Sequence, residues 1–517
     1  MTAPLRYAAV LLREARWPLA LFVLVPGLYT AAVGPSYAQT YATPQALARA
    51  TALARDNLAL TLLYGRLEGS GTIPQIAEWE TGALTTLVLA VVVMLLTTRL
   101  TRGAEDRGTA ELVRSCGLSP WATVAVPAGV LLAASGGVGV AAGLGLRGLE
   151  GVSMGDAAAY GMSLAVTTAI CACAAVLVAQ VMPTAAQARG ASMSLLALWF
   201  LLRAVSDATP ATGLRWLSPF TLGTAVRCGG NAVGGEVLVG FGTVGVFLLA
   251  AGAAATHRDL TAGLWRGPRP RSRHLRVRSI LGLEVRLALP ALVPWVSGMG
   301  VLGAAFTAMG HGAVETARSG GLQGGVLGSQ LAGLDPGRAF LRYLGIVAAL
   351  LVAAYVVAAI CRCGGEESSG ILEQVISTGN VVRQALFSRA ATALVSALVL
   401  LAVTTAGAAA LAQSALGGTP SDALKEILGQ WPAVVALAGV AVLLVGLAPR
   451  LVALAWVGVA AAGAIALVGP VLHLPSWVLE HGPLAQASRA GSAVLAGVGV
   501  LLIASGVYAV RHRDLST

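Results

Sequence analysis

The chain has 517 residues, of which 56% are apolar and only 11% charged, with a mean hydropathy of +0.79. A soluble domain would carry about 25% charged residues, so composition excludes a soluble globular enzyme and indicates a polytopic helical membrane protein. The net charge of +11 does not indicate nucleic-acid binding, because the basic residues are scattered between apolar runs and not gathered on one soluble face.

In chain order, residues 5–16 alternate arginines with Leu5, Val10 and Leu11, the pattern of a helix lying in the membrane interface. A first span is expected over about 17–33. Residues 43–67 follow outside the bilayer, where Thr43 can cap and Pro44 can start a helix. Leu53, Leu60 and Leu67 share one face of this segment, which suits lying along the membrane or covering a pore mouth. Further spans are expected at about 84–98, 122–146, 160–182, 191–205 and 237–256. Residues 206–235, with Pro210, Pro219 and paired glycines, read as a re-entrant or surface hairpin. Arg203, Arg342 and His473 fall near span ends, where snorkelling to water is the simplest expectation. The six cysteines form no paired framework and suit small apolar packing positions.

Between the second and third expected spans lies the charged stretch Arg99 to Trp121, RLTRGAEDRGTAELVRSCGLSPW. It has a twin at Cys361 to Arg389. Gly108, Glu111, Val113, Ser115 and Gly117 match Gly370, Glu373, Val375, Ser377 and Gly379 at an offset of 262 residues. Two more anchors repeat in the same order. Glu14-Ala-Arg16 is answered by Glu284-Val-Arg286, and His257-Arg258-Asp259-Leu260 by His512-Arg513-Asp514-Leu515. The chain is therefore expected to be duplicated: a first six-span half over 1–265, a basic linker over 266–287, and a second six-span half over 288–517. Spans seven to twelve are expected at about 289–309, 341–360, 390–412, 432–447, 451–471 and 493–511. Six spans per half give a parallel repeat.

With a cytoplasmic N-terminus, the inward segments hold 22 of the 34 basic residues. The positive-inside rule then places both termini and both twin loops in the cytoplasm.

The expected spans hold almost no Asp, Glu, His or Lys, the usual ligands of a coupling ion. The one lysine, Lys425, has no Gly-rich approach that could make a phosphate loop. No clustering of His, Asp, Glu or Ser supports catalysis or a metal, so no catalytic, cofactor or metal residues are assigned. Energy must come from another chain, or there is no active transport.

A duplicated six-plus-six permease of this kind resembles the membrane subunit of a type-2 ABC exporter. Glu366-Glu367, Gly370, Glu373 and Ser377-Thr-Gly379-Asn-Val-Val-Arg383 are similar to the acidic loop of actinobacterial permeases of polyketide-antibiotic or tetronasin exporters. His257 to Leu264 is similar to that family's central join. The first loop departs from this pattern, with Asp106-Arg107 where the second has Ser368-Ser369.

The resemblance implies a chain with no ATPase site of its own. It would work with two copies of a separate ATPase subunit that binds ATP and Mg, embedded in membrane lipid, exporting a hydrophobic or amphipathic drug-like compound. It also implies that Glu105, Asp106, Glu111, Glu366, Glu367 and Glu373 contact the ATPase, with Gly108, Gly117, Gly370 and Gly379 shaping the coupling helices. The expected cavity, between the halves and lined by spans two, five, eight and eleven, would draw on Trp199, Phe200, Tyr343, Tyr355 and Trp456. Two alternatives stay open at this level: an ion-coupled secondary transporter of the major facilitator kind, and a non-transporting membrane scaffold.

Overall fold

The computed structural model describes residues 3–41, 43–56, 58–67, 69–209, 212–221, 235–258, 263–265, 279–318, 335–368, 382–470, 472, 474–484 and 489–510. Among the described residues the ordered elements are all helical, and twelve helices are long and apolar enough to cross a membrane. The twelve correspond one for one to the expected spans. The chain divides into two units, residues 1–272 and 273–517.

The first unit begins with α1 (Ala3–Glu14) and α2 (Arg16–Thr40), separated by a one-residue break at Ala15. α1 is amphipathic, burying Tyr7 and Leu11 and exposing Leu5, Val10 and Leu12. Next come α3 (Pro44–Asp56) and α4 (Leu58–Tyr64), then α5 (Ile73–Leu100). α6 (Arg102–Asp106) and α7 (Thr109–Ser115) form the polar stretch. α8 (Pro120–Leu146), α9 (Met154–Val181) and α10 (Ala185–Ala208) follow, then two short 3-10 turns, Thr212–Leu217 and Pro219–Thr221, and α11 (Gly235–Thr256).

In the second unit α12 (Ile280–Arg318) runs unbroken through Pro290 and Pro294. It starts inside the stretch expected to be linker, because Leu281, Leu283, Val285 and Leu287 supply apolar positions among the charges. α13 (Pro336–Ser368), α14 (Val382–Leu411), α15 (Pro420–Glu426), α16 (Trp431–Leu447), α17 (Leu454–Gly463), α18 (Ser476–His481) and α19 (Arg489–Ala509) complete it. Single π turns extend α14 and α17, over Ala412–Leu416 and Ala464–Val468.

The spanning helices outrun the expected spans because their first turns are polar yet well capped. Ser153 and Asp156 close a reciprocal cap at the start of α9, and Ser119 accepts the Ala122 amide at the start of α8. One consequence concerns charge. α5 begins eleven residues before the expected span, so Glu78 and Glu80 lie within the helix and are buried.

The two units share a packing plan. In the first, α2 packs on α8, α5 on α9, α9 on α11, and α10 on both α5 and α9. In the second, the same ordinal pairs meet: α12 with α14, α13 with α16, α16 with α19, and α17 with both α13 and α16. Lipid gives helices no hydrophobic reason to associate, so close approach of backbones through small residues does the work. At the α8–α9 crossing, a Cβ on Gly139 would lie 2.6 Å from the Gly161 carbonyl oxygen. In α16–α19, a Cβ on Gly506 would lie 2.6 Å from the Val442 carbonyl oxygen. Only glycine fits at either place.

At the end of the first unit remote from α1, the segment 43–67 is the helical hairpin α3–α4. The Thr43 hydroxyl accepts the Ala46 amide at 3.2 Å, and Leu60 and Leu67 are buried. α4 packs on α5 and α10. Arg203 of α10 is buried, not snorkelled as expected: it donates to the Leu62 carbonyl at 2.6 Å, pairs with Asp207 at 3.7 Å, and stacks 4.7 Å from the Phe200 ring centroid. The hairpin thus roofs this end of the bundle. Below it, burial and then the charge of Glu80 hold the Tyr41 phenol well above its ordinary range.

Candidate functional site

α5 stops at Thr101, whose hydroxyl turns back to the Thr97 carbonyl at 2.6 Å. The next five residues, α6, are fixed by a buried charge cluster. Arg102 is fully buried: its Nη1 donates to Glu105 Oε2 at 2.6 Å, and its Nε to the Pro183 carbonyl at 3.1 Å. A second arginine grips the same carboxylate from the far end of the unit's sequence. Arg258 donates from Nη1 to Glu105 Oε2 at 2.9 Å and from Nη2 to Oε1, while its Nε donates to Gln180 Oε1 at 2.7 Å. Asp106 accepts the Ala185 amide at 2.8 Å, holding the start of α10. The chain after α11 is tied in as well, since the Trp265 amide donates to the Val181 carbonyl at 2.9 Å.

These contacts bring the same-side ends of α5, α9, α10 and α11 onto two adjacent carboxylates, Glu105 and Asp106. A buried ion cluster is costly to desolvate and survives only when every member is paired. Here Glu105, with Asp106 3.9 Å from Arg102, balances two guanidinium groups, which fixes α6 as a rigid base.

α7 stands on that base. Gly108 takes φ of +73° and Gly117 φ of +85°, so the chain turns sharply before and after a helix of seven residues. Such positive φ values suit glycine. Ala110 is buried and anchors α7, while Glu111, Leu112, Ser115 and Cys116 are exposed. Leu112 has 69% of its surface in the open. The side of the cluster nearest α1 is closed by Arg107, which pairs with Glu14 at 3.2 Å. Burial, then the nearby carboxylates of Glu14 and Glu105, push the Tyr7 phenol of α1 up to about 12.

The acidic residues of the first loop thus separate. Glu105 faces inward onto two arginines, Asp106 caps a neighbouring helix, and Glu111 faces out beside an exposed leucine. In the second loop, Glu366 and Glu367 fall in the last turn of α13, and Gly370, Glu373 and Gly379 lie outside the described residues. Beside it, Glu284 pairs with Arg389 at 2.8 Å, and Arg389 also donates to Cys363 Sγ at 3.3 Å. Glu14 and Glu284 are the repeat-related pair, so each unit ties the start of its first span, or the helix just before it, to its twin stretch. Arg258 and Gln180 escaped sequence reasoning as partners of this site. The repeated His-Arg-Asp-Leu was a visible marker of Arg258, but nothing linear tied it to a carboxylate 153 residues earlier.

Of the five aromatics, two lie in the first unit and three in the second. In the first unit Trp199 is buried against Phe247 at 6.3 Å and lines a cavity, and Phe200 meets Phe220 edge-on at 6.1 Å. In the second unit Tyr343 packs on Phe306 at 5.9 Å, Tyr355 meets Trp295 at 5.4 Å, and Trp456 is 43% exposed. Tyr343, Tyr355 and Trp199 are core residues by burial.

A family model described as "Multidrug efflux system permease Rv1217c, C-terminal domain" matches residues 277–511. The likeness extends beyond that half. The chain is 28% identical over 530 positions to the "Multidrug efflux system permease protein Rv1217c" of Mycobacterium tuberculosis, an alignment covering 99% of this chain and 95% of that protein. Together with the twelve apolar helices, this similarity identifies a multi-pass membrane protein.

Proposed function

We propose that this chain is the membrane permease subunit of an ATP-driven ABC exporter, moving hydrophobic or amphipathic drug-like compounds out of the cell. The observation that carries the reading is the end-to-end similarity to a protein named as a multidrug efflux permease. The narrower kinship with polyketide-antibiotic or tetronasin exporters rests on the loop sequences alone.

In this reading the twin loops face the cytoplasm and each receives one copy of an ATPase subunit, which binds ATP and Mg. α7 would be the docking element of the first loop, presenting Glu111 for a basic group and Leu112 for an apolar pocket. The Arg102–Glu105–Arg258 cluster would transmit the push, because one carboxylate links α6 to the ends of α9 and α11. Glu105 and Asp106 then position the loop, and Glu111, with its repeat partner Glu373, makes the contact. Nucleotide binding drives the change of access only through its different affinity for the two states.

The test is charge reversal. Glu111→Arg and Glu373→Arg, singly and together, should leave the chain in the membrane and abolish ATP-dependent efflux of a hydrophobic dye from inverted vesicles. Undiminished ATP-dependent transport by the double variant would remove the docking assignment.

One observation favours a second reading. Glu78 and Glu80 are buried within α5, and intramembrane carboxylates are common in ion-coupled transporters. Transport that persists without ATP and collapses with a protonophore would select that reading.

A further inference from the structure

Residues 212–221 bend into the first unit in two 3-10 turns, tied to two spanning helices by one hydrogen bond each and to themselves by a third. The Thr167 hydroxyl donates to the Pro219 carbonyl at 3.2 Å, the Ser218 hydroxyl to the Trp199 carbonyl at 2.7 Å, and the Thr221 hydroxyl to the Arg215 carbonyl at 2.7 Å. Thr167 lies thirteen residues into α9 and Trp199 nine residues before the end of α10. At 1.5 Å per residue, those positions are about 20 and 14 Å from the helix ends, near the middle of a hydrocarbon core of about 30 Å. The segment is therefore re-entrant. Irregular backbone at that depth is tolerated only where it is buried in protein or lines a cavity.

Here it lines one. Between the re-entrant turns and α11 is a cavity of about 230 Å3 with three aromatic walls, Trp199, Trp216 and Phe247. Its lining also includes Arg215 from the turns, Glu236 from the first turn of α11, and Thr243 about two helical turns further along α11. Arg215 and Glu236 are each half-buried, and no ion pair is made by either among the described residues. A cation and an anion at the mouth of one aromatic recess suit a ligand that carries a group for each.

We propose that this cavity is a binding site for an amphipathic small molecule with a flat ring body, an acidic group and a hydrogen-bond donor. The ring body would lie among Trp199, Trp216 and Phe247, the acid on the Arg215 guanidinium and the donor on the Glu236 carboxylate. This deepens the efflux reading, since it names a ligand class, but the site stands on its own geometry within one unit.

Dansylglycine carries all three features, and its fluorophore accepts energy from tryptophan. Titrated into the purified full chain in detergent, it should give saturable tryptophan-to-dansyl transfer. Arg215→Gln should weaken the apparent Kd tenfold or more, and Thr243→Trp, which fills the recess and touches neither charge, should abolish saturation. Both variants should elute as wild type on size exclusion. Equal titrations for wild type and both variants would place the probe in the micelle and overturn the proposal. So would a phospholipid that co-purifies with wild type, excludes the probe and is lost from Thr243→Trp, because the recess would then be a lipid site. The titration needs neither ATP nor a partner, so its failure is distinguishable from failure of the efflux reading.

Discussion

Glu105 and Glu111 are six residues apart and do different work. Glu105 is shared by two buried arginines, so Glu105→Gln removes the carboxylate that both guanidinium groups hold and leaves Arg102 with Asp106 at 3.9 Å. The loss expected from breaking a buried pair is about 3 to 5 kcal/mol, read as a lower midpoint in thermal unfolding of the purified chain. Glu111→Arg alters an exposed position and should leave that midpoint within about 0.5 kcal/mol of wild type. A Glu105 variant as stable as wild type would show that the cluster is not the base of the loop. Tyr7 supplies a pH signature. An unfolded tyrosine ionises near 10, and in the fold the phenol stays neutral up to about 12. Its stabilising share is therefore complete below pH 10 and is lost as pH rises from about 10 towards 12. Melting curves across that window should show a smaller alkaline loss for Tyr7→Phe than for wild type.

At the scale of elements, the units are held by backbone contact more than by side-chain volume. Gly161→Val would drive a methyl-bearing carbon into the Gly139 carbonyl across the α8–α9 crossing. Overpacking of this kind costs about 1 to 3 kcal/mol or more, and the variant should show reduced monodisperse yield on size exclusion. Gly136→Val is the matched control, because nothing lies within 4 Å of the added carbon, and it should behave as wild type. A similar yield for both would contradict the packing account. The apolar runs made the twelve spans and their order legible in the sequence, since length and hydropathy depend on composition alone. Helix starts were not legible, because capping by Ser119 and Ser153 lets polar first turns join the helix. Arg203 was misjudged for a related reason: the hairpin that buries it is distant in sequence, and snorkelling assumes open water at the span end.

For the whole molecule, the repeated anchors pointed to a duplication, and the packing plan shared by both units now gives it physical content. The first polar loop was legible as a feature, because charge is scarce in this chain. Its internal division into a buried clamp and an exposed helix was not, because Glu105 and Glu111 look alike until Arg258 is brought to one of them. The proposed function makes one central claim: energy enters this chain from a separate ATPase through the twin loops. The most direct measurement is dye accumulation in inverted membrane vesicles energised either by ATP or by a proton gradient, comparing wild type with the Glu111→Arg, Glu373→Arg double variant. Accumulation with ATP alone, lost in the double variant, is the predicted result. Accumulation with a proton gradient alone, unchanged in the double variant, would contradict it.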